Sequence, residues 1–250
     1  MSAKGARSIA AVPPDHLDRL NKGLAETRTL SEGLALSFPR LLATVAPSLA
    51  DAAEAALPPT LGITQRMARA AELLRASEGD ALLPRLLVHR ADTARGWGAY
   101  LIAALPGLSL AERLARVRPL ADDPHFGVRE WAWLALRPAI AAEIDEALRL
   151  LVPWTAEPSA NLRRFASEAT RPRGVWCAHI AALKTDPAQA LPLLQPLRRD
   201  ASPYVQDSVG NWLNDAAKSR PDWVSHLLTD WRRDASVAPR LLKRAGRSLA

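Results

Sequence analysis

Residues 155–172 read TAEPSANLRRFASEATRP, and residues 121–138 read ADDPHFGVREWAWLALRP. Placed one above the other, 34 residues apart, the two stretches agree at six positions. The agreeing pairs are Pro124/Pro158, Arg129/Arg163, Ala132/Ala166, Ala135/Ala169, Arg137/Arg171 and Pro138/Pro172. Self-similarity at a fixed period of about 20 to 50 residues is the signature of a repeat architecture. The chain therefore contains copies of one structural unit.

A third copy follows at residues 198–215, RRDASPYVQDSVGNWLND, 43 residues after the second. It keeps an acidic residue, Asp200, at the position held by Asp123 and Glu157, and a Val or Leu follows five residues later in each copy. This turn-and-helix pattern is typical of helical-hairpin repeats of the HEAT type, which stack into a superhelix with one concave surface. The sequence predicts an all-α fold, an α-solenoid of HEAT-like repeats that forms a concave basic groove.

The helix signals extend along the whole chain. Ser109 with Glu112 forms a capping box, and Gly79 follows a helical pattern as the residue after a helix C-terminus would. Strand signals are weak, because β-branched residues are sparse and no hairpin dipeptide occurs. Residues 1–60 have weaker repeat character and are predicted to form a helical N-terminal cap. Residues 61–250 are predicted to form the repeat array, in one domain with the cap.

The composition excludes several classes of protein. Hydrophobic residues make up 48% and charged residues 24%, as in an ordinary soluble domain. The polar N-terminus and the lack of a long apolar run predict neither a signal peptide nor a membrane span, so we expect a cytoplasmic monomer. The single cysteine, Cys177, excludes an internal disulfide framework and a cysteine zinc site. The scattered histidines and the missing phosphate-loop and dinucleotide motifs predict no metal and no cofactor.

The basic charge is unevenly distributed. The formal net charge is +7, with 18 basic and 18 acidic residues up to residue 159, but 15 basic against 8 acidic residues from 160 onward. A basic excess confined to one part of a chain is typical of a protein that binds a polyanion such as DNA. The alternative is a solvated surface in an arginine-rich protein.

Glu168 departs from the repeat pattern, because the first copy holds Leu134 at that position and the third holds Asn211. Such local exceptions concentrate at functional sites. Arg164 and Arg171 lie four residues before and three residues after it, so on a helix both border its face and favour the ionised carboxylate. A permanent anion suits stabilisation of a developing positive charge better than general acid catalysis. The alternative is an ordinary ion pair on a solvated helix face.

Two tryptophans are candidate substrate-binding residues, Trp176 and Trp131, because an indole ring can stack on a base or form one wall of a pocket for a cation. The alternative is a core role, as expected for most of the eight tryptophans. Trp176 is expected near the start of the helix that follows Pro172 and Gly174. Seven basic residues near the ends of successive repeats are candidate phosphate ligands. They are Arg163, Arg171, Arg173, Arg198, Arg199, Lys218 and Arg220.

Residues 162–176, LRRFASEATRPRGVW, and residues 209–224, VGNWLNDAAKSRPDWV, resemble the AlkC branch of the AlkC/AlkD family of HEAT-like repeat DNA glycosylases. Proteins of this family act in bacterial DNA alkylation repair. An Arg-Arg, a Ser-Glu and an Arg-Pro-Arg before a Trp, at fixed spacing, form a more specific pattern than a general HEAT repeat. The likeness is good over about residues 120–232 and weak over the rest of the chain.

The resemblance implies hydrolysis of the N-glycosidic bond of cationic alkylated bases in duplex DNA, chiefly 3-methyladenine and also 3-methylcytosine or 7-methylguanine. It implies that Glu168 is the catalytic carboxylate with Arg164 beside it, that Trp176 contacts the lesion or its sugar, and that Asp215 is a further catalytic residue. No cofactor is implied. The residues leave open a non-enzymatic HEAT scaffold that binds DNA or protein through its basic concave face, or a family member without glycosylase activity.

Overall fold

The computed structural model describes residues 5–249. In that range all regular secondary structure is helical, and there is no strand. The N-terminal part, up to residue 108, carries seven α-helices joined by short turns. They are α1 (Pro14–Asn21), α2 (Leu30–Ala35), α3 (Phe38–Val45), α4 (Ala50–Ala56), α5 (Ile63–Glu78), α6 (Leu83–Leu87) and α7 (Asp92–Ala104). None of the helices in the described range is long and apolar enough to cross a membrane.

The part from residue 109 to 249 carries nine further α-helices. They are α8 (Leu110–Ala121), α9 (Phe126–Ala142), α10 (Ile144–Leu151), α11 (Ala160–Ala169), α12 (Ala181–Thr185), α13 (Leu191–Leu197), α14 (Pro203–Ala217), α15 (Pro221–Arg232) and α16 (Pro239–Ala245). Short 3₁₀ turns occur at Ile9–Ala11, Pro47–Leu49, Asp80–Leu82, Val152–Ala156 and Pro187–Ala190. The all-α fold predicted from the sequence is confirmed.

The helices group into two compact units. The first unit runs up to Leu108 and takes in Asp123–Ala135, and the second comprises Ser109–Asp122 and the chain from Leu136 onward. The helix α9 contributes its first part to one unit and its second part to the other. The predicted division into a cap and an array at residue 60 stays a prediction.

Local sequence signals set the helix ends. Ser109 Oγ accepts the amide of Glu112, whose carboxylate accepts the Ser109 amide at 2.8 Å, so the predicted capping box opens α8. Gly79 ends α5 with a φ of 71°, a conformation that glycine adopts without steric cost. Pro203 and Pro221 are the first residues of α14 and α15, where a missing amide hydrogen costs nothing.

An arginine side chain binds the turn in front of three of the repeat helices. Arg163 in α11 donates from Nη1 to the carbonyl oxygens of Glu157 and Pro158, both at 2.8 Å, six and five residues earlier. The carbonyls at such a turn have no helical partner, so the guanidinium satisfies them. The same bonds occur from Arg95 to His89 and Arg90, and from Arg129 to Asp123 and Pro124. The structure thus adds a copy at residues 89–95 that the sequence alignment does not show.

The core consists of apolar faces from these helices. Trp97 is fully buried and Trp133 and Trp154 are 3% and 8% exposed, so the core role expected for most tryptophans holds for these three. In the second unit, α11 packs against α14, and α14 packs against α16. The contact between α11 and α14 is the one that assembles the polar cluster around Glu168.

Candidate active site

Two helix faces meet around Glu168. On α11, Arg164 and Glu168 are four residues apart and therefore share a face. On α14, Tyr204 and Ser208 have the same spacing and face α11. Glu168 is only 3% exposed. The alternative of an ion pair on a solvated helix face is therefore wrong.

Both oxygens of the Glu168 carboxylate have partners. Arg171 Nη1 donates to Oε1 at 2.6 Å, and Ser208 Oγ donates to Oε2 at 2.6 Å. Ser208 accepts in turn from Ser167 Oγ at 2.8 Å. Arg164 Nη2 lies 3.5 Å from Oε2, so it makes the longest of the three contacts. The carboxylate is held rigidly by two short bonds, and the third contact is the one most easily exchanged.

The surroundings keep Glu168 ionised. Burial alone would raise the pKa of this carboxyl, but the charges of Arg164 and Arg171 and the hydroxyl of Ser208 outweigh burial and lower the pKa below its ordinary value. A buried charge persists only when ion pairs and hydrogen bonds compensate for the lost hydration. Glu168 is thus a buried anion at neutral pH.

Arg171 connects Glu168 to a second carboxylate. Its Nε and Nη2 donate to Asp215 Oδ2 at 2.9 and 2.8 Å, while its Nη1 binds Glu168. Asp215, in α14, is 3% exposed, and Lys218 Nζ lies 3.6 Å from its other oxygen. The structure therefore brings together five of the residues that the sequence selects: Arg164, Glu168, Arg171, Asp215 and Lys218. Whether they perform catalysis stays a prediction.

Arg164 also packs on an aromatic ring. Its guanidinium carbon lies 4.3 Å from the centre of the Tyr204 ring, within the range of a cation–π contact. The side chain of Arg164 is 13% exposed, so it is mostly buried beside the carboxylate.

A buried arginine holds the segment after α11. Arg137, in α9, is 2% exposed and donates to three carbonyl oxygens: Ala169 at 3.0 Å, Arg171 at 2.5 Å and Ala178 at 3.1 Å. Gly174 lies against it, since a Cβ there would clash with Cys177 Sγ and stand 3.2 Å from Arg137 Cζ. Arg137 and Arg171 hold equivalent repeat positions, and each reaches into the next repeat.

Trp176 lies in the loop that Arg137 holds. The sequence predicts it near the start of the next helix, but that helix begins five residues later at Ala181, and residues 174–180 are irregular. Its φ of 61° is left-handed, a conformation that costs a bulky side chain about 1–2 kcal/mol. The ring is 44% exposed. Backbone strain at an exposed aromatic residue is a recurring feature of functional sites.

The remaining residues selected from the sequence lie elsewhere or are paired. Trp131 belongs to the first unit, where its ring lies against Gly96. Arg163 binds both oxygens of Asp200, at 2.6 and 3.1 Å. Four further basic residues have partners: Arg173 to Ser219, Arg198 and Arg199 to Asp234, and Arg220 to the Thr185 carbonyl. Their assignment to DNA phosphates stays a prediction.

Sequence reasoning missed Ser208, Tyr204 and Arg137. Ser208 and Tyr204 lie 40 residues beyond their partners on α11, so only the packing of α11 on α14 reveals them. Arg137 could have been found from the sequence, because it aligns with Arg171 in the repeats. Among residues 5–249 no three His, Cys, Asp or Glu side chains gather as a metal site.

Comparison with known proteins identifies relatives of this fold. A family model described as DNA alkylation repair enzyme matches residues 108–249. The uncharacterized protein YhaZ of Bacillus subtilis (strain 168) is 36% identical over 133 residues, which make up 53% of this chain and 36% of that protein. This chain thus spans about a third of the length of that curated relative.

Two solved structures share the fold. Alkylpurine DNA glycosylase AlkC of Pseudomonas fluorescens, bound to DNA containing an abasic site analog, has a TM-score of 0.67 and 24% identity over 94% of this chain and 62% of that chain. AlkD2 from Streptococcus mutans has a TM-score of 0.62 and 22% identity over 84% of this chain and 98% of that chain. At these identities, the likeness shows the helical-repeat fold.

Proposed function

Since this chain belongs to the DNA alkylation repair enzyme family, we propose that it is a DNA glycosylase acting on alkylated bases in duplex DNA. The substrates are bases that alkylation makes cationic, with 3-methyladenine first and 3-methylcytosine or 7-methylguanine next. The observation that carries the proposal is the buried, ionised Glu168, held by Arg171 and Ser208. A scaffold that only binds DNA has no need of an anion in this position.

The chemistry suits a permanently charged carboxylate. In the cationic nucleotide the bond between C1′ and the base nitrogen breaks, and its electron pair leaves with the base, which becomes neutral. The positive charge moves to the deoxyribose, and a water molecule adds at C1′ and loses a proton. No strong acid is needed for such a leaving group. Glu168 stabilises the positive sugar, because a fixed charge acts strongly in a site of low dielectric constant.

Arg164 is the residue that exchanges partners. Its distance from Glu168 is longer than those of Arg171 and Ser208, and its guanidinium stacks on Tyr204. A DNA phosphate draws Arg164 toward itself, while Arg171 and Ser208 continue to hold the carboxylate ionised. The negative charge of Glu168 is then less compensated when the duplex is bound. Binding of the duplex thus strengthens the field at the sugar.

The other selected residues bind the substrate. Trp176 contacts the lesion or its sugar from its strained, exposed position, and Trp131 is a second stacking residue. Asp215 orients Arg171. Duplex phosphates contact basic side chains in the second unit. These are Arg163, Arg171, Arg173, Arg198, Arg199, Lys218 and Arg220.

The test is release of free methylated bases from heavily methylated duplex DNA. Wild type is compared with Glu168→Gln, which keeps the shape of the side chain and removes the charge. Release of 3-methyladenine by wild type should fall by at least about tenfold in the variant, since loss of one electrostatic contact commonly costs that much. The matched control is Glu146→Gln, which removes a carboxylate paired with Arg149 on the surface of α10.

Folding is checked in the same samples by thermal unfolding, and Ser208→Ala provides a milder change at the same carboxylate. If Glu168→Gln does not fold, a reduced rate in folded Ser208→Ala supports the proposal. No base release by wild type, while duplex DNA still binds with strong salt dependence, would reject the enzyme and leave a DNA-binding scaffold. Equal rates for wild type and Glu168→Gln would reject the role of the carboxylate.

A further inference from the structure

The first unit contains a basic pocket far in sequence from Glu168. It has a volume of about 550 Å³ and lies between α1, the segment 25–28 and the turn 88–90. Four arginines and two histidines line it, and Glu26 is the one acidic residue among its lining residues. The charge distribution along the sequence gives no hint of this pocket, because basic and acidic residues are equal in number up to residue 159.

Three of the four arginines are available to bind a ligand. Within residues 5–249 the side chains of Arg19, Arg28 and Arg90 have no hydrogen bond or ion pair, and all three are exposed. The fourth, Arg95, is 8% exposed and already binds Glu26 and Asp123. The acid in the pocket therefore shares the charge of Arg95 with Asp123, and the three surface guanidinium groups give the pocket its excess of positive charge.

The backbone that carries these arginines is fixed. Thr27 donates from its amide and its hydroxyl to Asp92, at 2.9 and 2.8 Å, and its carbonyl lies 2.6 Å from His125 Nε2. Arg95 Nη1 binds the carbonyls of His89 and Arg90 at 2.7 and 3.3 Å. Both segments are thus tied to the folded core of the first unit. A pocket organised in advance binds its ligand with less loss of entropy.

A neutral donor adds to the charges. His89 Nδ1 accepts the Ala91 amide at 3.0 Å, so the neutral ring carries its hydrogen on Nε2. Burial, and the nearby charge of Arg95, lower the pKa of His89 and keep the ring neutral at physiological pH. Arginine forks and single N–H donors are the groups that bind the tetrahedral oxygens of a phosphate.

We propose that this pocket is a second anion site, which binds one phosphate group of a DNA strand between Arg19, Arg28 and Arg90. A free phosphate supplies the same chemistry, and the experiment separates the two sources. The proposal extends the DNA binding in the proposed function, but it does not depend on base release. Its function is to hold the duplex by a contact in the first unit.

The test compares wild type with a pocket triple variant, Arg19→Gln with Arg28→Gln and Arg90→Gln. Affinity for an undamaged duplex is measured over a range of NaCl concentrations. Loss of one phosphate contact should lower the slope of log K against log salt by about 0.9 and weaken binding about tenfold at 0.1 M salt. In a parallel arm, inorganic phosphate should raise the unfolding midpoint of wild type and leave that of the triple variant unchanged.

The control has the same net charge. It is a paired triple variant, Arg69→Gln with Arg75→Gln and Arg149→Gln, which removes three exposed arginines that have acidic partners. If the pocket triple variant alone loses affinity for the duplex, the result supports binding of a phosphate group of the DNA strand. A change in the phosphate arm alone supports a site for free phosphate and rejects the DNA source. Equal changes in both triple variants, or no change in either arm, overturn the proposal.

These results are independent of catalysis. The duplex is undamaged and no base is released, so a protein without glycosylase activity still gives a salt slope. Conversely, the pocket triple variant could show normal base release and unchanged duplex affinity. That result would leave the proposed function intact and show that the pocket has no part in DNA binding.

Discussion

Replacement of Arg137 by Met should destabilise the protein by about 2 kcal/mol. The guanidinium is 2% exposed and bonds to the carbonyls of Ala169, Arg171 and Ala178. Each carbonyl that loses its partner in a buried place costs about 1 kcal/mol, which gives about 3 kcal/mol for the three. Among the described residues no carboxylate lies within bonding distance of Arg137, so removing its buried charge offsets about 1 kcal/mol.

The same change should also reduce catalysis. The three carbonyls lie at the ends of the segment 169–178, which carries Trp176 and follows Glu168 directly. Without Arg137 this loop has several positions, and a displacement of about 1 Å in an active site can cost up to about a hundredfold in rate. We expect single-turnover release of 3-methyladenine to fall by at least about tenfold. Both proteins are assayed well below their unfolding midpoints.

A matched core variant separates the loop from general destabilisation. Leu114→Ala, in α8, removes a side chain that is 3% exposed and should cost about 2–3 kcal/mol. It should leave base release within about twofold of wild type, because folded protein predominates under the assay conditions. If Arg137→Met and Leu114→Ala lower the rate equally, Arg137 has no positioning role. An unchanged unfolding free energy in Arg137→Met would refute the account of its three bonds.

Two further outcomes follow from single residues. Arg163→Gln breaks the paired bonds to Asp200 and should lower the unfolding free energy by about 2 kcal/mol. Duplex affinity measured by titration should fall by about tenfold at about 0.1 M salt, because one proposed phosphate contact is lost, and an unchanged affinity would limit Arg163 to its role in folding. Trp176→Gly relieves a left-handed residue but adds freedom to the unfolded chain, so thermal unfolding should shift by less than about 1 kcal/mol. Base release should fall at least about tenfold if the ring contacts substrate, and a normal rate would exclude that contact.

The repeats and one unusual residue could be found from the sequence alone. Proline, acidic and arginine residues recur at fixed positions because each helix pair needs the same turn. Arg163 illustrates the reason, since its guanidinium donates to the carbonyl oxygens of that turn. Glu168 was recognisable because it replaces an apolar residue of the repeat. A local rule broken inside a regular pattern is visible without any structure.

The partners of Glu168 could not be found in the same way. Ser208 and Tyr204 reach α11 from the next repeat, and nothing in the spacing of α14 distinguishes them from ordinary surface residues. The loop of Trp176 also differs from its prediction. The sequence after Pro172 and Gly174 predicts the start of a helix, whereas carbonyls of this segment bind Arg137 and the chain is irregular up to residue 180.

Charge counting and charge availability lead to different residues. The excess of basic residues after residue 159 predicts long-range attraction to a polyanion, which depends on net charge. A guanidinium whose donors are not already bound to an acid can contact a phosphate without first breaking an ion pair. Arg171 and Arg199 each bind a carboxylate, whereas Arg28 and Arg90, in the part of the chain with no net excess, do not. The composition therefore indicates the charge of the partner. Which residues bind that partner depends on the ion pairs that form in the folded protein.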